Sequence, residues 1–322
     1  LTTVVDTNKK AAEAFAEKWG AAHVFDDAES AIASGSFDRV HILVPPDVHA
    51  TVAKPFLEKG FPVLLEKPLA TSQEECETLL SIANANNAAL GINQNFVYHP
   101  AFKKLKDLVA SGALGALEEV TCTYNMPLRQ LNAQQLGHWM FHKPVNILLE
   151  QAVHPLSQVC ALIGDIASSS IHVGTPNEIA PDVQFYGNSH ISLMGQNAPA
   201  QIQFAVGREF PVWTITAICQ DGTVTANMST NTCMISKRSR WLDFAEQLIG
   251  GISLAGQAST QSVRNASQYV LSTAGMIRRS DAFFQSMRNS IEAYHAALDQ
   301  NQQPPLNGTF GTELVALCEE FA

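Results

Sequence analysis

Apolar runs of strand length alternate with amphipathic segments of helical period through the first third of the chain. Four apolar runs, each ending at a polar residue or a proline, lie at residues 4–5, 37–44, 63–67 and 89–95. After the first run, Ala12, Phe15 and Trp19 share one helix face, and Gly20 suits the end of that helix. Strands that alternate with helices imply right-handed crossovers, so the pattern predicts a parallel sheet covered by helices.

From about residue 117 the pattern changes to long β-rich segments. Six of them lie at residues 117–126, 168–173, 183–194, 201–206, 212–219 and 223–234. Ile202, Phe204 and Val206 alternate with polar or small side chains, as in a sheet with one solvated face. Residues 145–164 and 259–298 have a helical period instead. We therefore predict an α/β domain over residues 1–115, and an α+β domain over residues 116–322 with a large, mostly antiparallel open sheet.

Composition and charge narrow the classes of protein that these domains represent. The formal net charge is −10 and the sequence pI is about 5.4, which argues against nucleic acid and anionic membrane surfaces as partners. No apolar run approaches the length of a membrane span, and no signal peptide opens the chain. The six cysteines are scattered without a Cys-x-x-Cys pair. The sequence thus predicts reduced thiols, a cytoplasmic protein and no metal site.

One lysine stands at the carboxyl end of a predicted buried strand. The apolar run Val63 to Leu65 is followed directly by Glu66, Lys67 and Pro68. Pro68 has no backbone N–H for a sheet ladder and pushes Lys67 out of helical geometry, so the strand must end there. Because ligands of open parallel sheets bind beyond the carboxyl ends of the strands, Lys67 is a candidate catalytic residue.

Two other polar residues follow predicted strands of the first domain, and each admits two interpretations. Asp6 stands where a dinucleotide-binding sheet places a carboxylate, which accepts from the ribose hydroxyls of NAD and repels the 2′-phosphate of NADP. The run Asp6-Thr7-Asn8 is equally a helix N-cap, and the two roles are compatible. His49 lies just past the Pro45-Pro46 break, where its imidazole would hydrogen-bond a cofactor or hold the loop.

The helix predicted at residues 145–164 carries a carboxylate and an imidazole on one face. Glu150 precedes His154 by four residues, so the two side chains are close enough to interact. A carboxylate beside an imidazole orients it for general acid–base chemistry. A lone histidine on an apolar helix is more often a core residue, and the Glu150 partner makes the two interpretations equally good. Pro155, directly after His154, indicates a kink.

These segments resemble motifs of the Gfo/Idh/MocA oxidoreductases, the family of glucose–fructose oxidoreductase and inositol dehydrogenase. Residues 60–68 read G-F-P-V-L-L-E-K-P and are similar to that family's G-k-x-V-x-x-E-K-P segment. Residues 44–49, V-P-P-D-V-H, resemble its T-P-n-x-x-H loop. Residues 150–157 have Glu150, Ala152, His154 and Ser157 where the family has D-x-G-x-H-x-x-D. The order and spacing agree over essentially the whole chain.

The resemblance implies a Rossmann domain followed by a sheet domain whose open face supports oligomerisation. It implies an enzyme that transfers a hydride between NAD and a secondary alcohol of a sugar, inositol or similar polyol, with NADP the less favoured cofactor. At the catalytic positions stand Lys67 as the acid/base, His154 as its partner in proton transfer, and Glu150 in place of the family's aspartate. At the cofactor-binding positions stand Asp6, Pro45, His49, Glu66, Lys67 and Asn95.

Substrate contacts are expected around the helix that carries His154. Trp139, His142 and Lys143 precede it and would line the substrate side, although Trp139 equally fits a core position. Ser157 replaces an aspartate that the family associates with substrate hydroxyls, which changes the expected mode of polyol binding. Val97 stands where the family commonly has an arginine.

The Gly-x-Gly-x-x-Gly turn expected about twenty residues before Asp6 is not in the sequence. Either the first domain is not a dinucleotide-binding fold, or it is truncated at its N-terminus, without its first strand and that turn. The order of strand, acidic residue and helix at residues 1–19 favours the second alternative. Two non-catalytic functions stay open: a sensor or regulator that binds NAD(P) without turnover, and a scaffold of the same fold without cofactor. Intact Lys67 and His154 favour the enzyme, whereas Val97 and Ser157 favour the sensor. The solvated sheet face leads us to expect a homodimer or homotetramer.

Overall fold

In the computed structural model, which describes residues 1–181, 183–238 and 243–321, strands and helices alternate through the N-terminal part. The elements there are β1 (Thr3–Val5), α1 (Lys9–Trp19), β2 (His23–Phe25), α2 (Ala28–Ser34), β3 (Val40–Ile42), α3 (His49–Glu58), β4 (Val63–Glu66), α4 (Gln73–Ala85) and β5 (Leu90–Asn93). β1 pairs in parallel with β2, and β3, β4 and β5 form a second parallel sheet in that order. The predicted α/β organisation is confirmed.

Local sequence signals set the ends of these elements. Gly20 has φ of 73° and closes α1, because glycine reaches this left-handed conformation without a steric penalty. Ser72 caps α4, since its Oγ accepts from the backbone N–H of Glu75 at 3.2 Å. The first three residues of β4 are buried, as expected of a parallel strand covered on both faces.

The rest of the chain is built around a seven-stranded sheet. Its elements are α5 (Pro100–Ala110), β6 (Leu117–Met126), α6 (Arg129–Asn132), α7 (Val153–Ile163), β7 (Ile166–Val173), β8 (Asn177–Ala180), β9 (Val183–Phe185), β10 (Asn188–Gly195), β11 (Pro199–Val206), β12 (Val212–Cys219), β13 (Gly222–Asn227), β14 (Thr232–Lys237), α8 (Asp243–Thr273), α9 (Ala282–Asp299) and α10 (Gly308–Glu320). The strand order is β14-β13-β12-β6-β11-β10-β7, and every neighbouring pair is antiparallel except β11 and β6. This confirms the predicted large, mostly antiparallel sheet.

Aromatic side chains fill the core against the covered face of this sheet. The ring of Tyr124 stacks on Phe204, with centroids 5.5 Å apart, and meets Trp213 edge-on at 4.9 Å. α7 packs on the same sheet through contacts with β6, β10 and β11. Along β10 and β11, buried and exposed residues alternate, so the opposite face is solvated as the sequence period indicates.

By its internal contacts the chain divides into two units. One comprises Leu1–Asn93 with Glu292–Ala316, and the other Gln94–Ile291 with Leu317–Ala322. Compared with the predicted boundary at residue 115, the segment that contains α5 groups with the large sheet, because α5 packs on β12, β13 and β14. The C-terminal segment groups with the first unit, where Ile92 donates its backbone N–H to the carbonyl of Leu306 at 2.9 Å.

α8 is a 31-residue helix that lies along the edge strand β14. In the ranges that the structure describes, no helix combines the length and the apolar character that a membrane crossing requires.

Candidate active site

The carboxyl ends of β4 and β5 bring Glu66 and Asn93 side by side. The two residues are register partners, and Asn93 Nδ2 donates to Glu66 Oε1 at 2.7 Å. Asn93 is buried, so its amide fixes the Glu66 carboxylate at the end of the strand. β4 ends at Glu66, which confirms the predicted strand end, and Lys67 follows half-buried with a cis peptide bond to Pro68.

Sequence reasoning missed Asn93. A signal was present, because Asn93 is a polar residue near the end of the run predicted as a strand at residues 89–95, and parallel strands end at the same edge of a sheet.

The buried His49 ring joins the loop after β3 to the loop after β4. Its Nδ1 lies 2.8 Å from the Pro68 carbonyl oxygen and its Nε2 lies 2.9 Å from the Val44 carbonyl oxygen. Burial lowers the pKa of His49, while the carbonyls of Val44 and Pro68 and the Glu66 carboxylate act in the opposite direction. This geometry supports the loop-holding interpretation of His49, and a contact with cofactor stays a prediction.

At the end of β1, Asp6 shapes the turn into α1. Asp6 Oδ1 accepts from the backbone N–H of Asn8 at 2.8 Å, and Asn8 Oδ1 accepts from the backbone N–H of Ala11 at 3.2 Å. Asn8 is therefore the N-cap, and Asp6 supports the residue that caps. Asp6 itself is exposed beyond the carboxyl end of β1, where the sequence interpretation placed the ribose hydroxyls of NAD.

The other two cofactor-binding candidates lie in contrasting surroundings. Pro45 is exposed and precedes the 3₁₀ turn Pro46–Val48. Asn95 is buried, and its Nδ2 donates to Ser286 Oγ at 2.8 Å. The Asn95 side chain thus ties the segment after β5 to α9, and its role toward a cofactor is untested.

The stretch that carries Glu150 and His154 is not one regular helix. Leu148–Ala152 form a π-helical turn, and α7 begins at Val153. The irregularity lies before Pro155 rather than at it, because Pro155 stands in the first turn of α7, where the helix tolerates proline. π-helical turns are frequent at functional sites. Glu150 is half-buried on this turn, and His154 is buried just after it.

Two aromatic residues flank the His154 ring. Phe96 meets the imidazole edge-on with centroids 4.9 Å apart, and Trp213 lies 6.2 Å from it. Phe96 and Trp213 also contact each other at 4.4 Å. Neither residue could be assigned to this place from the sequence, since Phe96 follows β5 and Trp213 lies on β12, far from His154 along the chain.

The predicted substrate residues differ in exposure. Trp139 is half-buried, whereas His142 and Lys143 are exposed, and His142 Nε2 lies 3.2 Å from the Gly137 carbonyl oxygen. Ser157 is fully buried and donates its hydroxyl to the His154 carbonyl at 2.8 Å. A substrate contact by Ser157 stays a prediction, and it requires that hydroxyl to leave its present acceptor.

In the described part of the chain, no group of three or more His, Cys, Asp or Glu side chains is arranged to hold a metal ion. The described cysteines are free thiols, and five of the six are buried.

Comparison with known proteins connects this arrangement to one family. Residues 1–94 match the family described as "Oxidoreductase family, NAD-binding Rossmann fold", and residues 102–225 match the "GFO/IDH/MocA C-terminal domain". Levoglucosan dehydrogenase, solved in complex with NADH and levoglucosan, has the same fold with a TM-score of 0.77 at 15% identity. That comparison covers 99% of this chain and 86% of the other.

Curated relatives align over shorter segments. Scyllo-inositol 2-dehydrogenase (NADP(+)) of Bacillus subtilis is 36% identical over 124 residues, covering 38% of this chain and 37% of that protein. The dTDP-3,4-didehydro-2,6-dideoxy-alpha-D-glucose 3-reductase of Streptomyces violaceoruber is 29% identical over 163 residues, covering 51% of this chain and 46% of that protein. The chain thus spans less than half the length of either relative. With both domain descriptions matched in order and the corresponding fold present, the chain belongs to the Gfo/Idh/MocA oxidoreductase family.

Proposed function

We propose that this protein is an NAD(P)-dependent oxidoreductase that transfers a hydride between nicotinamide and a secondary alcohol of a sugar, inositol or similar polyol. The observation that carries the proposal is the placement of Lys67. It follows β4 half-buried, between a glutamate held by Asn93 and a proline whose carbonyl is held by His49. The inositol dehydrogenase and the dTDP-sugar reductase among the relatives support the substrate class.

The residues at the ends of the parallel strands fit a dinucleotide. Asp6 offers an exposed carboxylate as an acceptor for ribose hydroxyls, and Pro45 lies exposed on the loop that His49 holds. When bound, the nicotinamide supplies the hydride acceptor or donor. We infer a preference for NAD from Asp6, because a carboxylate repels the 2′-phosphate of NADP. The Bacillus subtilis relative is named for NADP(+), so both cofactors belong in the test.

Lys67 and His154 carry out the proton transfer that accompanies hydride transfer. In its neutral form Lys67 accepts the proton of the substrate hydroxyl, and the alcohol becomes a carbonyl as the hydride leaves the same carbon. In the reverse direction Lys67 donates that proton. His154, whose ring is fixed by Phe96 and Trp213, serves as a second proton-transfer group with Glu150 as its carboxylate partner. Trp139 and His142 contact the substrate.

Substitution of Lys67 tests this function. We expect the protein to produce NADH or NADPH, followed by absorbance, with at least one member of a sugar and inositol panel. Lys67→Met lowers that rate about 100-fold or more, the usual contribution of an acid/base group, while cofactor affinity measured by calorimetry changes less than about threefold. Lys54→Met is the matched control, because Lys54 is an exposed lysine of α3 that pairs with Glu58.

The same measurements separate the other two functions. If the protein binds cofactor but turns over no compound of the panel, the sensor function is favoured over the enzyme. The buried Val97 and the Ser157 hydroxyl, which donates to the His154 carbonyl, would then explain the lack of turnover. Absence of NAD(P) affinity in a protein that also carries the expected glycine-rich turn favours the scaffold without cofactor. A rate for Lys67→Met equal to that of Lys54→Met removes Lys67 from the reaction.

A further inference from the structure

α8 carries a long exposed apolar face. Five large apolar residues on this face have relative solvent exposures between 63% and 74%: Phe244, Leu248, Ile252, Val263 and Val270. At 100° per residue these positions fall in one stripe. We call this stripe the α8 face; it also includes the small residues Gly251, Ala255, Ser259, Ser262 and Ala266.

The opposite side of α8 is fixed to the sheet edge by side-chain amides. Gln257 donates to the Ile235 carbonyl and accepts from the Ile235 N–H, both at 2.9 Å. Gln261 does the same with Cys233, at 3.0 Å and 2.8 Å. Since β14 is the edge strand, these glutamines occupy the backbone groups that a further strand would use. They also set the rotation of α8, which leaves the α8 face pointing away from the sheet.

The α8 face is uncharged in a strongly acidic protein. None of residues 247–263 carries a charged side chain, whereas the whole chain has a net charge of −10. A nucleic acid or a charged peptide finds no complementary group on this face. Two copies of an acidic chain repel each other electrostatically when their charged surfaces meet. This repulsion is weakest when the two uncharged α8 faces meet.

Between Leu248 and Ala266, the order of bulky and small residues is complementary to itself when reversed. In a two-fold antiparallel pair, residue i faces residue j of the other copy, and j faces i. An axis at the level of Gln257 puts a bulky residue opposite a small one at three levels: Leu248 opposite Ala266, Ile252 opposite Ser262, and Val263 opposite Gly251. Apart from the neighbouring backbone of α8 itself, no atom of the described residues lies within 4 Å of the place that a Cβ of Gly251 would take, so this position is open to Val263 of another copy.

The size of the face suits such a pair. Ile249, Tyr269 and Leu271 flank the stripe and are also exposed. Together with the five bulky residues they offer on the order of 800 Å², the area that one partner contributes to a stable dimer. We propose that the α8 face binds the same face of a second copy of this chain, with the two helices antiparallel about a two-fold axis at Gln257. This contact is separate from the solvated sheet face and independent of the proposed function.

Val263→Asp tests the proposal, with Thr260→Asp as its matched control on the same helix. Thr260 is exposed but lies outside the α8 face. Sedimentation equilibrium of the full chain should show self-association that Val263→Asp weakens about 100-fold or more in Kd and that Thr260→Asp changes less than about threefold, because the aspartate would be desolvated at Gly251 of the other copy. Circular dichroism checks that both variants keep the fold.

A pair of cysteines makes the test specific to this face. Ala255 of one copy faces Ser259 of the other copy across the proposed axis. The double variant Ala255→Cys/Ser259→Cys should therefore form a disulfide-linked dimer on mild oxidation, whereas neither single variant should. This readout separates the α8 contact from any association through the sheet. A wild-type monomer, equal masses for wild type and Val263→Asp, or cross-linking by Ser259→Cys alone would each overturn the proposal.

Discussion

Replacing His49 by phenylalanine separates the hydrogen bonds of this side chain from the space that it fills. His49 is fully buried, and its two ring nitrogens contact the carbonyl oxygens of Val44 and Pro68. Phenylalanine keeps an aromatic ring at the position but offers neither carbonyl a donor. A neutral imidazole carries one N–H, so it donates to one of the two carbonyls, and the change leaves that backbone acceptor without its donor.

The magnitude follows from that count. A buried acceptor that loses its donor costs about 1–3 kcal/mol, so the loss of this one hydrogen bond lowers the free energy of unfolding by about 1–3 kcal/mol. Glutamine in the same place keeps donor hydrogens and should restore roughly half of the loss. The order of stability expected is wild type, then His49→Gln, then His49→Phe.

Urea unfolding of the full chain, followed by circular dichroism, measures these free energies. Amide hydrogen exchange of β3 and β4 localises the effect, because the two loops that His49 joins follow these strands. If His49→Phe unfolds at the wild-type urea concentration, the imidazole does not hold the two loops. If His49→Gln is the less stable variant, packing rather than hydrogen bonding decides the site.

Three further predictions concern His99, Gly91 and Asn93. Burial lowers the pKa of His99 from 6.5 to about 4, so between these pH values the unfolded chain binds a proton that the folded chain does not, and stability falls as the pH falls. His99→Asn keeps an acceptor for the N-terminus of α5 and should reduce the loss of unfolding free energy between about pH 7 and about pH 4 by about 3 kcal/mol in urea titrations. Gly91→Ala brings a Cβ within 2.6 Å of the Tyr294 ring and should lower the free energy of unfolding by about 1–3 kcal/mol, measured by thermal melting. Asn93→Leu removes the donor to Glu66 and should cost about 1–3 kcal/mol by urea unfolding.

Each of these has an outcome that contradicts it. An unchanged pH dependence in His99→Asn means that the imidazole is not held neutral by burial. If Gly91→Ala melts at the wild-type temperature, the Tyr294 ring moves aside at no cost. Gly137→Ala is the matched control, because Gly137 has open space around its Cβ position and an ordinary φ. Gly112→Ala is unsuitable as a control because Gly112 has a positive φ. For Asn93, a stability equal to wild type means that Glu66 is satisfied by other groups.

Features that depend on neighbours along the chain could be predicted from the sequence. The alternation of short apolar runs with segments of helical period predicted the parallel strands, because a strand buried on both faces is a continuous apolar run and a helix that covers it has one apolar face. Pro68 fixed where β4 ends and therefore put Lys67 at the strand tip, since proline lacks the N–H that a ladder requires. Gly20 marked the end of α1 for an equally local reason.

Contacts between residues far apart in the chain could be known only from the folded structure. The register of β4 and β5 joins Glu66 to Asn93, and the course of two loops gives both nitrogens of His49 a carbonyl partner. Packing of β12 against the segment after β5 sets Trp213 and Phe96 beside His154. These contacts join residues far apart in the chain, and no periodicity encodes a contact between two segments. Local pattern thus put Lys67 at its strand tip, whereas long-range packing supplied the groups that hold that tip in place.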